Sequence, residues 1–159
     1  MIDAKVLLLK VINNGSSPQN DFIKNKRIKL SNQIYLTVLL YYIPFAILNI
    51  FFQNYVILAL NSINFLIAVF CLYLTGKKKI ELSNAVFLHS LIGGILFYGI
   101  MLGGQSRIDV LLIAIVSGVY TIYGGGKIKQ VIYYIGLCLM TYVAIHTVKG
   151  IHVFSGVDI

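Results

Sequence analysis

Charged residues are what this sequence has least of. Only 11% of its 159 residues are Asp, Glu, Lys or Arg, whereas a soluble globular domain carries about a quarter. Hydrophobic residues make up 58% of the chain, and its mean hydropathy is +0.87. Such a composition argues against a water-soluble domain.

Acidic residues are especially scarce. Five Asp and Glu face 13 Lys and Arg, which gives a net charge of +8. A basic excess is typical of proteins that bind nucleic acid, and also of the cytoplasmic loops of membrane proteins. The positions of the basic residues therefore have to decide between these two classes.

Long segments contain no charged residue at all, namely residues 34–75, 82–106, 110–126 and 130–148. A bilayer core of about 30 Å is crossed by about 20 helical residues. The first segment has 42 residues, too many for one span, and it carries a polar break at residues 52–55. The pattern predicts an all-α, polytopic transmembrane bundle of five spans, at about 34–52, 55–75, 83–103, 109–125 and 130–148.

Two other folds fit the sequence less well. A soluble bundle of very apolar helices would have to contain five segments of near-membrane length by coincidence. Transmembrane β-strands would alternate polar and apolar residues, which runs such as residues 56–60 do not. The fourth predicted span is the shortest of the five.

The basic residues predict the orientation of these spans. They cluster in three alternate segments, whose members include Lys24, Lys26, Arg27, Lys29, Lys77, Lys78, Lys79, Lys127 and Lys129. These segments hold eleven basic residues and the opposite segments hold two. The positive-inside rule then places the N-terminus in the cytoplasm and the tail 149–159 outside the inner membrane. This distribution explains the excess of basic residues as a topology signal and leaves no further basic cluster for binding nucleic acid.

The N-terminal segment, residues 1–33, is basic and lacks the features of a signal peptide. Its apolar run is short, Lys10 interrupts it, and no small-residue cleavage site follows. Residues 1–12 fit a short amphipathic helix lying on the inner leaflet, with Lys5 and Lys10 towards headgroups. A disordered tail fits the sequence equally well.

A few polar residues inside or beside the spans are candidates for contacting a ligand or signal. His89 is the best single candidate for a sensed proton, ligand or metal, because ionisable residues are rare within membranes. Asn61 and Asn64 share one helix face and either join helices or line a polar path. Arg107 and Asp109 form a charged pair on the outer side, which fits a salt-bridged turn or an external contact.

Small residues in the third span predict close helix packing. Gly99 and Gly103 form a GxxxG pattern, and Ser90 with Gly94 extends the same face. Small residues let helix backbones approach in lipid, either within one chain or across a homodimer. Pro44 is expected to kink the first span, because proline removes a backbone donor.

The sequence shows no sign of a catalytic centre. Its two cysteines lie inside predicted spans, where thiols usually act as small hydrophobic groups. No nucleotide-binding, nucleophile or paired-acid motif is present. We therefore expect no enzyme activity, no bound metal and no cofactor.

Scattered residues resemble those of a known type of membrane region. Asn32 precedes the first span, Pro44 and Asn61 lie within spans one and two, a basic hinge follows at residues 77–79, and residues 102–106 close span three. This pattern resembles the N-terminal multi-helix regions of bacterial sensor histidine kinases and class III adenylate or guanylate cyclases.

The resemblance implies a dimer that senses a signal and passes it to a cytoplasmic effector. Those regions have about six helices before the effector domain, whereas five spans are predicted here. The expectation is a sensor that lacks its last helix and its output domain.

Three functions remain open from the sequence. The first is a non-catalytic sensor or anchoring module of a bacterial signalling protein. The second is a small transport or channel component, with Asn61, Asn64 and His89 along its path. The third is an accessory subunit of a larger membrane complex.

Overall fold

The structure is a computed structural model that describes residues 4–102, 110–123 and 127–147. Over these ranges the chain is helical and contains no strand, so the all-α prediction is confirmed there. The helices are α1 Ala4–Ile12, α2 Phe22–Phe51, α3 Tyr55–Gly76, α4 Ile80–Leu102, α5 Val110–Tyr123 and α6 Ile128–Thr147.

Four of the helices are long and apolar enough to cross a membrane. They are α2, α3, α4 over Ile80–Ile100, and α6. The fifth apolar helix, α5, has 14 residues and is about 21 Å long at 1.5 Å per residue. The chain therefore has the helices of a membrane protein.

The predicted turn between the first two spans is confirmed. Helix α2 ends at Phe51 and α3 begins at Tyr55, and Gln53 between them has a left-handed φ of 55°. At its other end α2 begins at Phe22, twelve residues before the span predicted from residue 34. The basic segment thus forms the first turns of the same 30-residue helix.

Helix α1 confirms that residues 4–12 are helical, whereas their position on the inner leaflet stays a prediction. Ala4–Ile12 is helical, so a disordered tail is wrong for these residues. The turn that follows includes Gly15, whose φ of +80° is left-handed. Such a φ suits glycine, because it has no Cβ.

The described residues divide into two compact units, with the boundary at Phe87 and Leu88 in α4. In the first unit, α2 and α3 are joined by a tight turn and pack along their length. The Tyr42 hydroxyl lies 3.0 Å from the Ser62 hydroxyl, and the rings of Tyr42 and Phe65 are 4.6 Å apart.

The second unit contains most of α4 together with α5 and α6. Its two later helices each bury one stripe with alternating steps of three and four residues, as expected for packed helices. The stripes are Leu112, Ile115, Val119 and Ile122 in α5, and Val131, Tyr134, Cys138, Thr141 and Ile145 in α6.

Contacts within the second unit give the directions of its helices. His89 near the start of α4 contacts Tyr134 near the start of α6, and Gly99 ten residues later lies against Ile145. Helices α4 and α6 therefore run in the same direction. Tyr123, the last residue of α5, stacks on Tyr134, so the end of α5 lies level with the start of α6.

Candidate functional site

The strongest candidate site is centred on His89, in α4. Its Nε2 lies 3.1 Å from the Tyr133 hydroxyl, and its Nδ1 lies 3.2 Å from the Tyr134 hydroxyl. Both ring nitrogens are therefore within hydrogen-bonding distance of a tyrosine. The two tyrosines are consecutive in α6, so one turn of that helix supplies both partners.

The two tyrosines have different surroundings. Tyr133 is 53% exposed, whereas Tyr134 is 3% exposed. The Tyr134 ring stacks on Tyr123 of α5, with centroids 5.7 Å apart and an angle of 14° between the ring planes. Tyr134 thus joins the imidazole on α4 to an aromatic ring on α5.

This arrangement accommodates both protonation states of the imidazole. A neutral histidine has one N–H donor and one acceptor nitrogen, so one tyrosine accepts and the other donates. In a protonated histidine both nitrogens donate, and both tyrosine oxygens accept. A proton gained by His89 would therefore reverse one hydrogen bond, at Tyr133 or at Tyr134.

The other predicted ligand residues in the described part of the chain lie on α3. Asn61 and Asn64 are half-buried and continue, with steps of three and four, into the buried residues Ala68, Cys71 and Thr75. They therefore share the inward face of α3, in the first unit, whereas His89 belongs to the second. Arg107 and Asp109 lie outside the described residues.

The structure shows a close packing contact for one of the four small residues that the sequence places in the third span. A Cβ built on Gly99 would lie 2.5 Å from Cδ1 and 2.6 Å from Cγ1 of Ile145, so this glycine packs within the chain. Ser90 and Gly94 are half-buried, and Gly103 lies outside the described residues. Pro44 lies inside α2, which is helical on both sides of it, and the kink stays a prediction.

The basic residues that predict orientation lie at the helix ends and in the turns. They are exposed or half-buried: Lys24, Lys26, Arg27, Lys29, Lys77, Lys78, Lys79, Lys127 and Lys129. The turn between α3 and α4 is the most compact of these basic segments, and Lys78 within it has a left-handed φ of 61°.

The structure also contains a buried polar network in the first unit that sequence reasoning missed. The Tyr35 hydroxyl donates to Asn84 Oδ1 at 2.6 Å and lies 3.0 Å from Ser83 Oγ. Ser83 Oγ is also 2.8 Å from the Cys71 carbonyl oxygen and 3.2 Å from Thr75 Oγ1. This network joins α2, α3 and the start of α4.

The segment after α1 is fastened beside this network. Asn32 Nδ2 donates to the carbonyl oxygens of Ile12 and Asn14, at 3.0 and 2.8 Å. Asn14 Nδ2 in turn donates to the Leu72 carbonyl at 2.8 Å. A Cβ on Gly15 would collide with the Thr75 carbonyl, so the chain passes α3 at close range.

Two features of the sequence indicate this network and the contacts beside it. Asn32, which is fully buried, is one of the residues that carry the resemblance to sensor regions. Thr75, Ser83 and Asn84 stand as isolated polar residues at the borders of uncharged segments, which is a sign of burial near a helix end. Nothing in the sequence indicates that Tyr35 is their partner.

The described residues contain no group of three or more His, Cys, Asp or Glu placed to hold a metal ion. Cys71 and Cys138 are buried as free thiols. Comparison of the chain with protein-family models, curated proteins and solved structures gives no match. The geometry of His89 is therefore the main support for a function.

Proposed function

We propose that this chain is a non-catalytic sensor or anchoring module of the bacterial inner membrane, and that it reads a proton or small polar ligand at His89. The observation that carries the proposal is that both His89 ring nitrogens lie within 3.2 Å of tyrosine hydroxyls. An ionisable side chain within a membrane-spanning helix is costly and usually has a function.

The signal passes from His89 through Tyr134 to α5. When the neutral imidazole carries its proton on Nε2, protonation makes Nδ1 a donor as well, and the Tyr134 hydroxyl, which donates in the neutral state, must then accept. Because Tyr134 is buried and stacked on Tyr123, its hydroxyl turns without leaving the packed interior. The packing of α5 on α6 is the element that responds.

The proposed topology has five spans, with the N-terminus in the cytoplasm. The parallel directions of α4 and α6 support it, because a helix must return between them and α5 occupies that place in the chain. The distribution of eleven basic residues against two supports the orientation. At about 21 Å, α5 would cross with local thinning of the bilayer.

The output of such a module is delivered by another protein or by a second copy of the chain. The resemblance of Asn32, Pro44 and Asn61 to residues of sensor kinase and cyclase membrane regions supports a homodimer or a partner effector. The absence of a catalytic motif from the sequence is consistent with an output that another protein provides.

Electron paramagnetic resonance on the full chain in liposomes tests the proposal. Spin labels are placed at Tyr120 and Leu139, which are 63% and 61% exposed on α5 and α6. Cys71→Ser and Cys138→Ala remove the native thiols. We expect the distance between the labels to change by about 1–2 Å between pH 8 and pH 5, the size of typical helix shifts.

Matched variants identify the group that responds. His89→Gln should abolish the change, whereas His146→Gln in α6 should leave it intact. A distance that stays the same at both pH values, or a change that survives His89→Gln, would contradict the assignment of the proton to His89.

A transport component is the second candidate, and the inward face of α3 favours it. Asn61, Asn64, Cys71 and Thr75 place polar groups along about 21 Å of this helix at 1.5 Å per residue. Solute flux into proteoliposomes that is lost in Asn61→Leu and kept in Tyr73→Leu, an exposed position, would favour transport over sensing.

A further inference from the structure

Helix α1 exposes four consecutive apolar side chains, which point to different sides of the helix because it has 3.6 residues per turn. Val6, Leu7, Leu8 and Leu9 are between 41% and 59% exposed, and Lys5 and Lys10 on either side of them are also exposed. Within residues 5–12 of this helix, Val11 and Ile12 at its end are the half-buried residues. An apolar surface next to positive charge matches the chemistry of an acyl chain and an acidic headgroup.

The charge around α1 is predominantly positive. Residues 1–87 contain nine basic residues and three acidic ones, Asp3, Asp21 and Glu81. The last turn of α1 is fastened by Asn32 and Asn14 to α2 and to the end of α3. That end of α3 is followed directly by the three exposed lysines 77–79.

The fastening fixes α1 at one end of the bundle. Because Asn14 Nδ2 bonds the carbonyl of Leu72, the C-terminal end of α1 lies level with the last turn of α3. Because a spanning helix ends near the headgroups, a helix held there is expected at the depth where headgroups meet acyl chains.

We propose that α1 and the basic start of α2 form a binding surface for anionic phospholipid. Acyl chains of the surrounding lipids cover Val6 to Leu9, and the phosphates of their headgroups lie against Lys5 and Lys10. The hydrogen bonds of Asn32 and Asn14 hold α1 against α2 and α3 of the first unit. Lipid charge thereby acts directly on α1, whose C-terminal end the Asn32 and Asn14 side chains join to α2 and α3.

A single tryptophan reports this contact, because the chain contains none of its own. Leu8→Trp places the fluorophore on α1 of the full chain, which is reconstituted into phosphatidylcholine liposomes containing 30 mol% phosphatidylglycerol, about a natural anionic content. Either lipid is brominated on its acyl chains near the headgroup. We expect quenching per mole of lipid to be at least about twofold stronger with brominated phosphatidylglycerol.

Two controls distinguish binding to the charged headgroup from simple insertion of the tryptophan into lipid. Phe52→Trp, at an exposed position in the α2–α3 turn that has no nearby lysine, should be quenched equally by both brominated lipids. Lys5→Gln with Lys10→Gln, in the Leu8→Trp background, should remove the excess from phosphatidylglycerol and keep the quenching by phosphatidylcholine. Soluble glycerol phosphate should not displace the lipid.

Three outcomes would overturn the proposal. Equal quenching of Leu8→Trp by the two lipids would show that α1 has no preference for the anionic headgroup. No quenching by either lipid would show that a protein surface, from a second copy or another partner, covers α1. Displacement by glycerol phosphate would assign the site to free phosphate.

Discussion

The Tyr35 hydroxyl and Asn84 Oδ1 lie 2.6 Å apart, although 49 positions separate the two residues in the sequence. The bond links α2 to α4 inside the first unit. Tyr35 is fully buried and Asn84 is 4% exposed, so water does not replace the bond if it is lost.

Tyr35→Phe should therefore destabilise the protein. Loss of the hydroxyl leaves Asn84 Oδ1 without this donor, and an unsatisfied buried polar group costs about 1–3 kcal/mol. We expect the free energy of unfolding in detergent micelles to fall by about this amount. Tyr41→Phe is the matched control, since Tyr41 lies in the same helix and is 62% exposed. Equal stability of the two variants would contradict a structural role for the network.

Gly99→Ala tests the packing of α4 on α6. The added methyl group meets Ile145, and overpacking of this kind costs about 1–3 kcal/mol. Gly93→Ala is the control, because a Cβ there meets nothing within 4 Å. We expect a lower melting temperature for Gly99→Ala only. A loss of dimer without a loss of monomer stability would instead place Gly99 between chains.

Gly15→Ala should loosen the N-terminal segment. A side chain at φ +80° costs about 1–2 kcal/mol, and its Cβ would also collide with the Thr75 carbonyl. We expect faster tryptic cleavage at Lys10 than in the unaltered chain, with little change in global unfolding. Gly136→Ala, where nothing lies within 4 Å, should leave cleavage at Lys10 unchanged. Unaltered cleavage in Gly15→Ala would argue against the docked turn.

The tautomer of His89 should depend on which tyrosine remains. In Tyr134→Phe the ring Nδ1 loses its partner, so the proton should favour Nε2, where Tyr133 accepts. Tyr133→Phe should favour the opposite tautomer. Nitrogen-15 NMR of labelled histidine in liposomes measures both, and the His146 signal serves as an internal reference. Identical His89 signals in the two variants would show that the tyrosines do not set the tautomer.

The helices were largely predictable because charge is costly in the bilayer. Uncharged segments locate α3 and α6 to within a few residues, and the polar break at residues 52–55 locates the turn between α2 and α3. The start of α2 was not predictable from the same rule. Its basic turns are good helix formers in water as well as in headgroups, so the charge that ends the span does not end the helix.

The partners of the polar residues were not predictable. His89 stands out in the sequence because an imidazole is rare in a span, but its tyrosines lie 44 and 45 positions away. Eleven tyrosines occur in the sequence, and nothing distinguishes Tyr133 and Tyr134 before α4 and α6 are placed side by side. The same holds for Tyr35 and for the contact of Asn14 with α3.

The position of the C-terminus tests the five-span account most directly. Alkaline phosphatase, active only outside the cytoplasm, and green fluorescent protein, fluorescent only inside, are fused in turn after Ile159 and after Lys78. Five spans with a cytoplasmic N-terminus predict phosphatase activity without fluorescence after Ile159, and the reverse after Lys78. Fluorescence without phosphatase activity after Ile159 would show that the chain crosses the membrane an even number of times, and would contradict the five-span topology.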